Sequence, residues 1–272
     1  MPETTARVSP EVASGERHDD VLARNRLLVL LTLSSGSVDA ICFLGLGKVF
    51  TAFMTGNFVF LGLRIGGAPG PHTLSVIVAM AGFAAGVLLA TRIVSPAARS
   101  DVWPRRVTVA LTVTLIAQAA FAALWLSVGG HGSLTTVQCL LGISALGMGF
   151  QTAAVFSLGI QGVFTTAATA TFTVLSGDSA HWSNTEPERR RLATLLIALT
   201  AGAVAGGLLV VHARDIAPLL PLCASGLVVA IAALHFPASH RVAERSVPED
   251  SRGRLTGVGL GGRAGRLRFR GF

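Results

Sequence analysis

The chain has no tyrosine, three tryptophans, three cysteines and few charges, with 13% of its 272 residues charged. Each shortage excludes something. Soluble domains carry about 25% charged residues. A chain with half that fraction and 51% hydrophobic residues is an integral membrane protein. Cys42, Cys139 and Cys223 are odd in number, far apart and set in apolar stretches. That is neither a disulfide framework nor a metal-ligand spacing, so the cysteines read as small core residues and no metal site is expected. There is no H-E-x-x-H, no P-loop and no Cys/His cluster, so the sequence offers no catalytic residues and no cofactor site, and no enzyme is expected. Ser144, in Gly142-Ile143-Ser144-Ala145, and His235 faintly resemble an intramembrane protease dyad. Counted from the ends of their spans, the two differ in depth by roughly 13 Å, too far for a hydrogen bond.

Carboxylates are scarce too. Between Leu27 and Pro237 they are Asp39, Asp101, Asp178, Glu186, Glu188 and Asp215, and only Asp39 lies well inside an apolar run. The net charge of +8 comes from arginines in two tails and two internal loops, the pattern of basic flanks beside membrane spans. Nucleic acid is not an expected partner, because the basic C-terminal tail offers only Phe269 and Phe272 for stacking. Its GRAGRLRFRGF ending reads as a disordered retention tail, or as a contact for anionic headgroups. The first 24 residues are polar and mixed in charge, unlike a secretory signal peptide.

Apolar stretches run over 27–46, 49–66, 73–94, 107–128, 134–157, 162–177, 191–211 and 217–236. A spanning helix needs about 20 residues. Six stretches reach or approach that length; the second and sixth are shorter and rich in Thr and Gly. Positive charge decides how they run. If the short pair dip in and return, then Arg24 and Arg26, the 92–106 loop, Arg189-Arg190-Arg191 and the C-terminal tail share the cytoplasmic side. The expected fold is thus an all-α integral membrane protein with six full spans plus two short re-entrant or half-span segments, in an inner membrane with both termini cytoplasmic. Its expected divisions are a disordered tail at 1–24, membrane repeat A at 25–130, membrane repeat B at 131–237 and a disordered basic tail at 238–272.

The repeat rests on residues. GSVDAICFLGLGKVFTAFMTGNFVFLGL begins at Gly36, and GMGFQTAAVFSLGIQGVFTTAATATFTVLSG begins at Gly147. Val49-Phe50-Thr51 aligns with Val163-Phe164-Thr165, and Thr55 with Thr169, about 114 positions on; Asp39 falls opposite Gln151 if the second copy has two extra residues. Three full spans per copy make the duplication an inverted one, as in many transporters and channels. Gly82-x-x-x-Gly86 and Gly202-x-x-x-Gly206 occupy matching helices, where small residues let helices approach closely. Trp103 and Trp125 bracket the fourth stretch in the manner of interfacial aromatics.

Polar groups in hydrocarbon are costly, which makes them the candidate site. Ser34-Ser35-Gly36-Ser37-Val38-Asp39 suits a broken or bundle-facing helix, and Met54-Thr55-Gly56-Asn57 joins a hydroxyl, a flexible backbone and an amide. The second copy adds Gln151 and Thr165, Thr169 and Thr171. The candidate solute-binding set is therefore Asp39, Ser37, Thr51, Thr55, Gly56, Asn57, Gln151, Thr165, Thr169 and Thr171. These are neutral donors and acceptors around one carboxylate, fit for a small solute or ion in a bilayer protein that also has the option of forming a homo-oligomer. The alternative is that the polar groups bond one another and lock a membrane scaffold or partner subunit.

G-x-V-D-A at Gly36–Ala40, Phe50, and M-T-G-N at Met54–Asn57 resemble the signature of the YoaK-like family of bacterial membrane proteins, a domain of unknown function. The likeness covers about Leu27 to Pro237. Members repeat a G-x-Q and a T-G-T pattern in the second half. Gly149-Phe150-Gln151 resembles the first, and Thr169-Ala170-Thr171 departs from the second at Ala170. The resemblance implies a multi-span inner-membrane protein and supplies no substrate.

Overall fold

The structure, a computed structural model, describes residues 10–94, 102–129, 132–159, 172, 176 and 186–236. Seven α-helices run through them: α1 (Pro10–Gly45), α2 (Met54–Ile65), α3 (Thr73–Ile93), α4 (Arg105–Ser127), α5 (Leu134–Ser157), α6 (Glu186–His212) and α7 (Leu219–His235). A short 3-10 turn, Arg214–Ile216, leads into α7. Among the described residues, six helices are long and apolar enough to cross a membrane. With 12 residues, α2 is the exception: at 1.5 Å per residue it reaches about 18 Å, against a hydrocarbon core of about 30 Å. The protein is an all-α, multi-span membrane protein.

One expectation is corrected here and one alternative is decided. The division that gave 1–24 to a disordered tail fails from Pro10 onward, because α1 runs unbroken for 36 residues. Hydropathy could not see this extension, since ERHDD is polar yet free of Gly and Pro. The same continuity decides between the two readings of Ser34–Asp39: the helix there is bundle-facing and not broken. Ser34, Ser35, Ser37 and Asp39 are all buried.

The helices pack as matched pairs. α1 lies along α6 and α3 lies along α5; α4 packs on α5, α7 on α1, and α4 on α7. Exchanging α1 with α5, α3 with α6 and α4 with α7 maps this packing onto itself. Both long crossings are made at glycine. A Cβ on Gly202 would run into the Leu33 carbonyl, and one on Gly206 would lie 2.6 Å from the Ser37 oxygen. Across the other crossing, a Cβ on Gly86 would strike the Leu146 carbonyl, and one on Gly82 would lie 2.9 Å from the Gly142 oxygen. Backbone therefore meets backbone at both crossings, the close approach that small residues permit in membrane bundles.

Two apolar cores fill the interior. One joins Leu27, Leu28 and Leu31 of α1 to Val107 and Leu111 of α4, Ala154 of α5 and Val228 of α7. The other joins Val38, Ile41 and Cys42 of α1 to Phe121 and Trp125 of α4, Leu141 and Met148 of α5, and Val76 of α3. Between them, in the order of residues along α1, α4 and α7, lies a polar belt of Ser34, Gln118 and Ser225. The reading of Trp103 and Trp125 as interfacial aromatics is corrected: they are 3% and 0% exposed and belong to these cores. Trp103 donates from Nε1 to Thr108 Oγ1 at 2.9 Å, and Trp125 to the Arg214 carbonyl at 3.0 Å. The Arg214 guanidinium lies over the Trp125 ring at 5.3 Å and donates to the Gly45 carbonyl, closing the C-terminal end of α1.

Candidate functional site

α1 ends where Gly47 and Lys48 take left-handed backbone angles, φ 88° and 64°. Lys48 adopts a conformation that favours glycine, and the chain reverses there. Residues 49–53 then run back along α1 outside any helix, and α2 begins at Met54. The reversal brings backbone to Asp39, six residues before the end of α1. Asp39 Oδ1 accepts from the amides of Thr51 and Ala52, both at 2.8 Å, and Oδ2 from the amide of Phe53 at 2.9 Å. These donors sit immediately before α2, which has no side-chain cap of its own. The Asp39 carboxylate therefore supplies from α1 what a capping residue supplies locally: negative charge and acceptors at the positive end of a helix.

Asn57 completes the clasp from inside α2. Its Nδ2 donates to the Phe50 carbonyl at 2.7 Å, and its Oδ1 accepts from the Phe50 amide at 3.1 Å. One side chain thus satisfies both backbone groups of a residue in the extended segment, and Asn57 is wholly buried. Gly56 is small for a reason on the page: a Cβ there would lie 2.8 Å from the Phe53 ring and 2.9 Å from the Phe50 ring. Thr51 is buried, accepts from Ser144 Oγ at 3.2 Å and donates to Cys42 Sγ at 3.7 Å, which ties the segment to α5.

The structure thus gathers Asp39, Thr51, Gly56 and Asn57 of the sequence-derived set. It does not gather the rest. Ser37 donates back to the Ser34 carbonyl within its own helix at 2.8 Å. Thr55 is exposed on α2. Gln151 donates from Nε2 to the Leu31 carbonyl at 3.1 Å, eight residues and about 12 Å along α1 from Asp39. Thr165, Thr169 and Thr171 lie outside the described residues. The protease-like pairing is not assembled, since Ser144 bonds Thr51 while His235 Nε2 lies 3.2 Å from Asp20 Oδ1.

Sequence reasoning missed the belt. Ser34 Oγ lies 3.1 Å from Ser225 Oγ, Gln118 Nε2 donates to Ser34 Oγ at 3.4 Å, and Thr114 Oγ1 donates to the Gly147 carbonyl at 3.1 Å. Gln118 Oε1 and Gln151 Oε1 are enclosed without a hydrogen-bond partner. A lone glutamine in the middle of an apolar span was the signal available for it.

Beside the clasp is a groove of about 370 Å³. Gly36, Asp39, Ala40 and Phe43 enter it from α1 at helical spacing, Phe50 and Phe53 from the reversing segment, and Leu199 and Ala203 from α6. Among the described residues, Asp39 supplies the only ionisable side chain of the lining. Phe43 and Phe50 stack at 4.9 Å, and Phe50 meets Phe53 edge-on at 5.3 Å. Among the described residues, no Lys, Arg or His forms an ion pair with Asp39.

No solved structure matches the chain. Over 155 residues it is 40% identical to the UPF0700 transmembrane protein YoaK of Bacillus subtilis (strain 168), covering 57% of this chain and 67% of that protein. Residues 27–234 match the family described as a protein of unknown function, DUF1275, a stretch that holds the clasp, both glycine crossings and all but the outer ends of the bundle. The chain belongs to the DUF1275 family.

Proposed function

We propose that this membrane protein conducts or transports a small solute, and that the path includes the groove beside Asp39. The observation that carries the reading is a helix too short to span, whose N-terminal end is fixed inside the bundle next to that groove. Spanning bundles keep irregular backbone at membrane depth only where protein buries it or a cavity uses it, and interrupted helices beside solute sites are a recurring transporter device. We infer that residues 49–65 dip in and return, with the reversal at Lys48 marking the outer side. The exchange-matched packing of α1, α3 and α4 with α5, α6 and α7 supports an inverted duplication, with both termini cytoplasmic in an inner membrane.

A second reading has its own observation. Asp39 and Asn57 spend their hydrogen bonds on backbone, as a scaffold would have them do. On the transport reading these two residues hold the walls in place, Asp39 also gives the groove its charge, and the solute meets the groove. Reconstituted vesicles separate the two. Light-scattering shifts or tracer uptake with a panel of small neutral and cationic solutes should exceed those of empty vesicles for at least one class. A chain that is folded and inserted yet adds no permeability to any solute of the panel is a scaffold.

A further inference from the structure

We propose that the groove beside the buried Asp39 carboxylate binds a lipophilic organic cation, a substituted ammonium with apolar groups. The inference rests on the transport reading and names the substrate class of its site. Three features select that chemistry.

The first is charge. Asp39 is held by three amide donors, which are dipoles; they stabilise a carboxylate without neutralising it. Arg214 is committed at the Gly45 carbonyl, six residues and about 9 Å along α1. A charge so placed attracts a cation more strongly than it would in water.

The second is the wall. Among the described residues, those lining the groove apart from Asp39 bring no polar side chain. A hard metal ion seeks six or more oxygen ligands, and this lining does not provide them. A substituted ammonium needs few hydrogen bonds, and its apolar groups match the lining. Phe43, Phe50 and Phe53 add aromatic rings, which attract organic cations by their quadrupoles.

The third is size. A volume of about 370 Å³ lies within the range of small-molecule sites.

The test is saturation binding of radiolabelled benzyltrimethylammonium to the full chain in phosphatidylglycerol nanodiscs, with neopentylbenzene as the uncharged competitor of the same shape. Wild type should bind the cation saturably, and neopentylbenzene should displace it at least tenfold less well than unlabelled cation. Ala203→Phe, which fills the groove from α6 and leaves Asp39 in place, should weaken binding at least tenfold, and Phe53→Leu about threefold. Asp39→Asn should abolish binding in whatever fraction remains folded by size-exclusion profile. If Asp39→Asn does not fold, the competitor and Ala203→Phe decide. Equal displacement by neopentylbenzene, or full binding by folded Ala203→Phe, overturns the proposal. Discs with an equal share of phosphatidylglycerol, completed by phosphatidylethanolamine, whose headgroup is itself an ammonium, or by uncharged digalactosyldiacylglycerol, separate the sources at constant surface charge: weaker probe binding with phosphatidylethanolamine assigns the site to lipid headgroups, and equal binding assigns it to a free solute. Vesicle flux distinguishes this inference from the reading beneath it. Flux of neutral solutes without cation binding sinks the inference alone, and cation binding without flux of any solute keeps the site and removes the transport reading.

Discussion

Asp39 and Gln151, which the proposed repeat sets opposite one another if its second copy has two extra residues, are used differently by the bundle. Asp39 gathers three amides from the segment that follows its own helix and fixes the start of α2. Gln151 reaches across to the Leu31 carbonyl of another helix, and its own carbonyl oxygen is enclosed without a partner. A carboxylate has acceptor capacity for several donors and no donor of its own, so it suits a converging set of N–H groups. An amide carries both kinds of group and can bridge one carbonyl while leaving its oxygen idle. The comparison separates a polar residue that organises local backbone from one that links helices.

The largest effect should come from breaking the clasp. Thr51 and Ala52 are buried, and each buried amide left without an acceptor costs about 1–3 kcal/mol. Asp39→Ala should therefore lower the melting temperature and the monodisperse yield more than any other single change at the clasp. Asp39→Asn should fall between it and wild type, because one acceptor oxygen survives. If Asp39→Ala melts like wild type, the clasp does not hold α2.

Next in size should be the glycine crossings, where the comparison is between the two halves of the bundle. Gly86→Leu and Gly202→Leu place a side chain against opposing backbone, and overpacking costs about 1–3 kcal/mol or more. Both should lower folded yield to a similar degree, because the crossings match. A loss confined to one of them would break the equivalence of the halves.

Asn57→Leu removes both bonds to Phe50 and should cost about 1–3 kcal/mol, read as a drop in melting temperature. Gln151→Leu should cost less, about 1 kcal/mol, because one bond to the Leu31 carbonyl is lost while an idle oxygen is removed with it. If Gln151→Leu proves more damaging than Asn57→Leu, the ranking of clasp over bridge is reversed. Smallest of all, Gly62→Ala meets nothing within 4 Å and should be neutral or stabilising by up to about 1 kcal/mol in the same melt.

Much of this was legible in the sequence because a bilayer constrains composition so strongly. Length and hydropathy placed the six spanning helices, and the GxxxG spacing placed both crossings. Asp39 and Asn57 stood out because polar groups are rare at that depth. Their partners did not stand out. Both bond to main chain, and main-chain amides leave no trace in residue identity, so nothing in the sequence separates them from their neighbours Ser37, which turns back on its helix, and Thr55, which is exposed. The N-terminal reach of α1 was hidden for a related reason: helix propensity in a polar stretch carries no hydropathy signal. The burial of Trp103 and Trp125 depends on which way each ring faces at the ends of α4, and residue identity near a span end does not carry that direction.

The central claim is that the groove at Asp39 admits solute from water while the rest of the bundle surface faces lipid. Ala203 lines the groove, and Leu208, on the same helix, is 55% exposed on the bundle surface. The direct measurement is thiol labelling in intact membranes by a charged, impermeant methanethiosulfonate, in a chain with Cys139 and Cys223 replaced by serine and cysteine placed at one position at a time. The account predicts that Ala203→Cys labels, and that benzyltrimethylammonium slows its labelling, while Leu208→Cys stays unreactive. Equal lack of reaction at both positions would show a groove closed to water and would contradict the account.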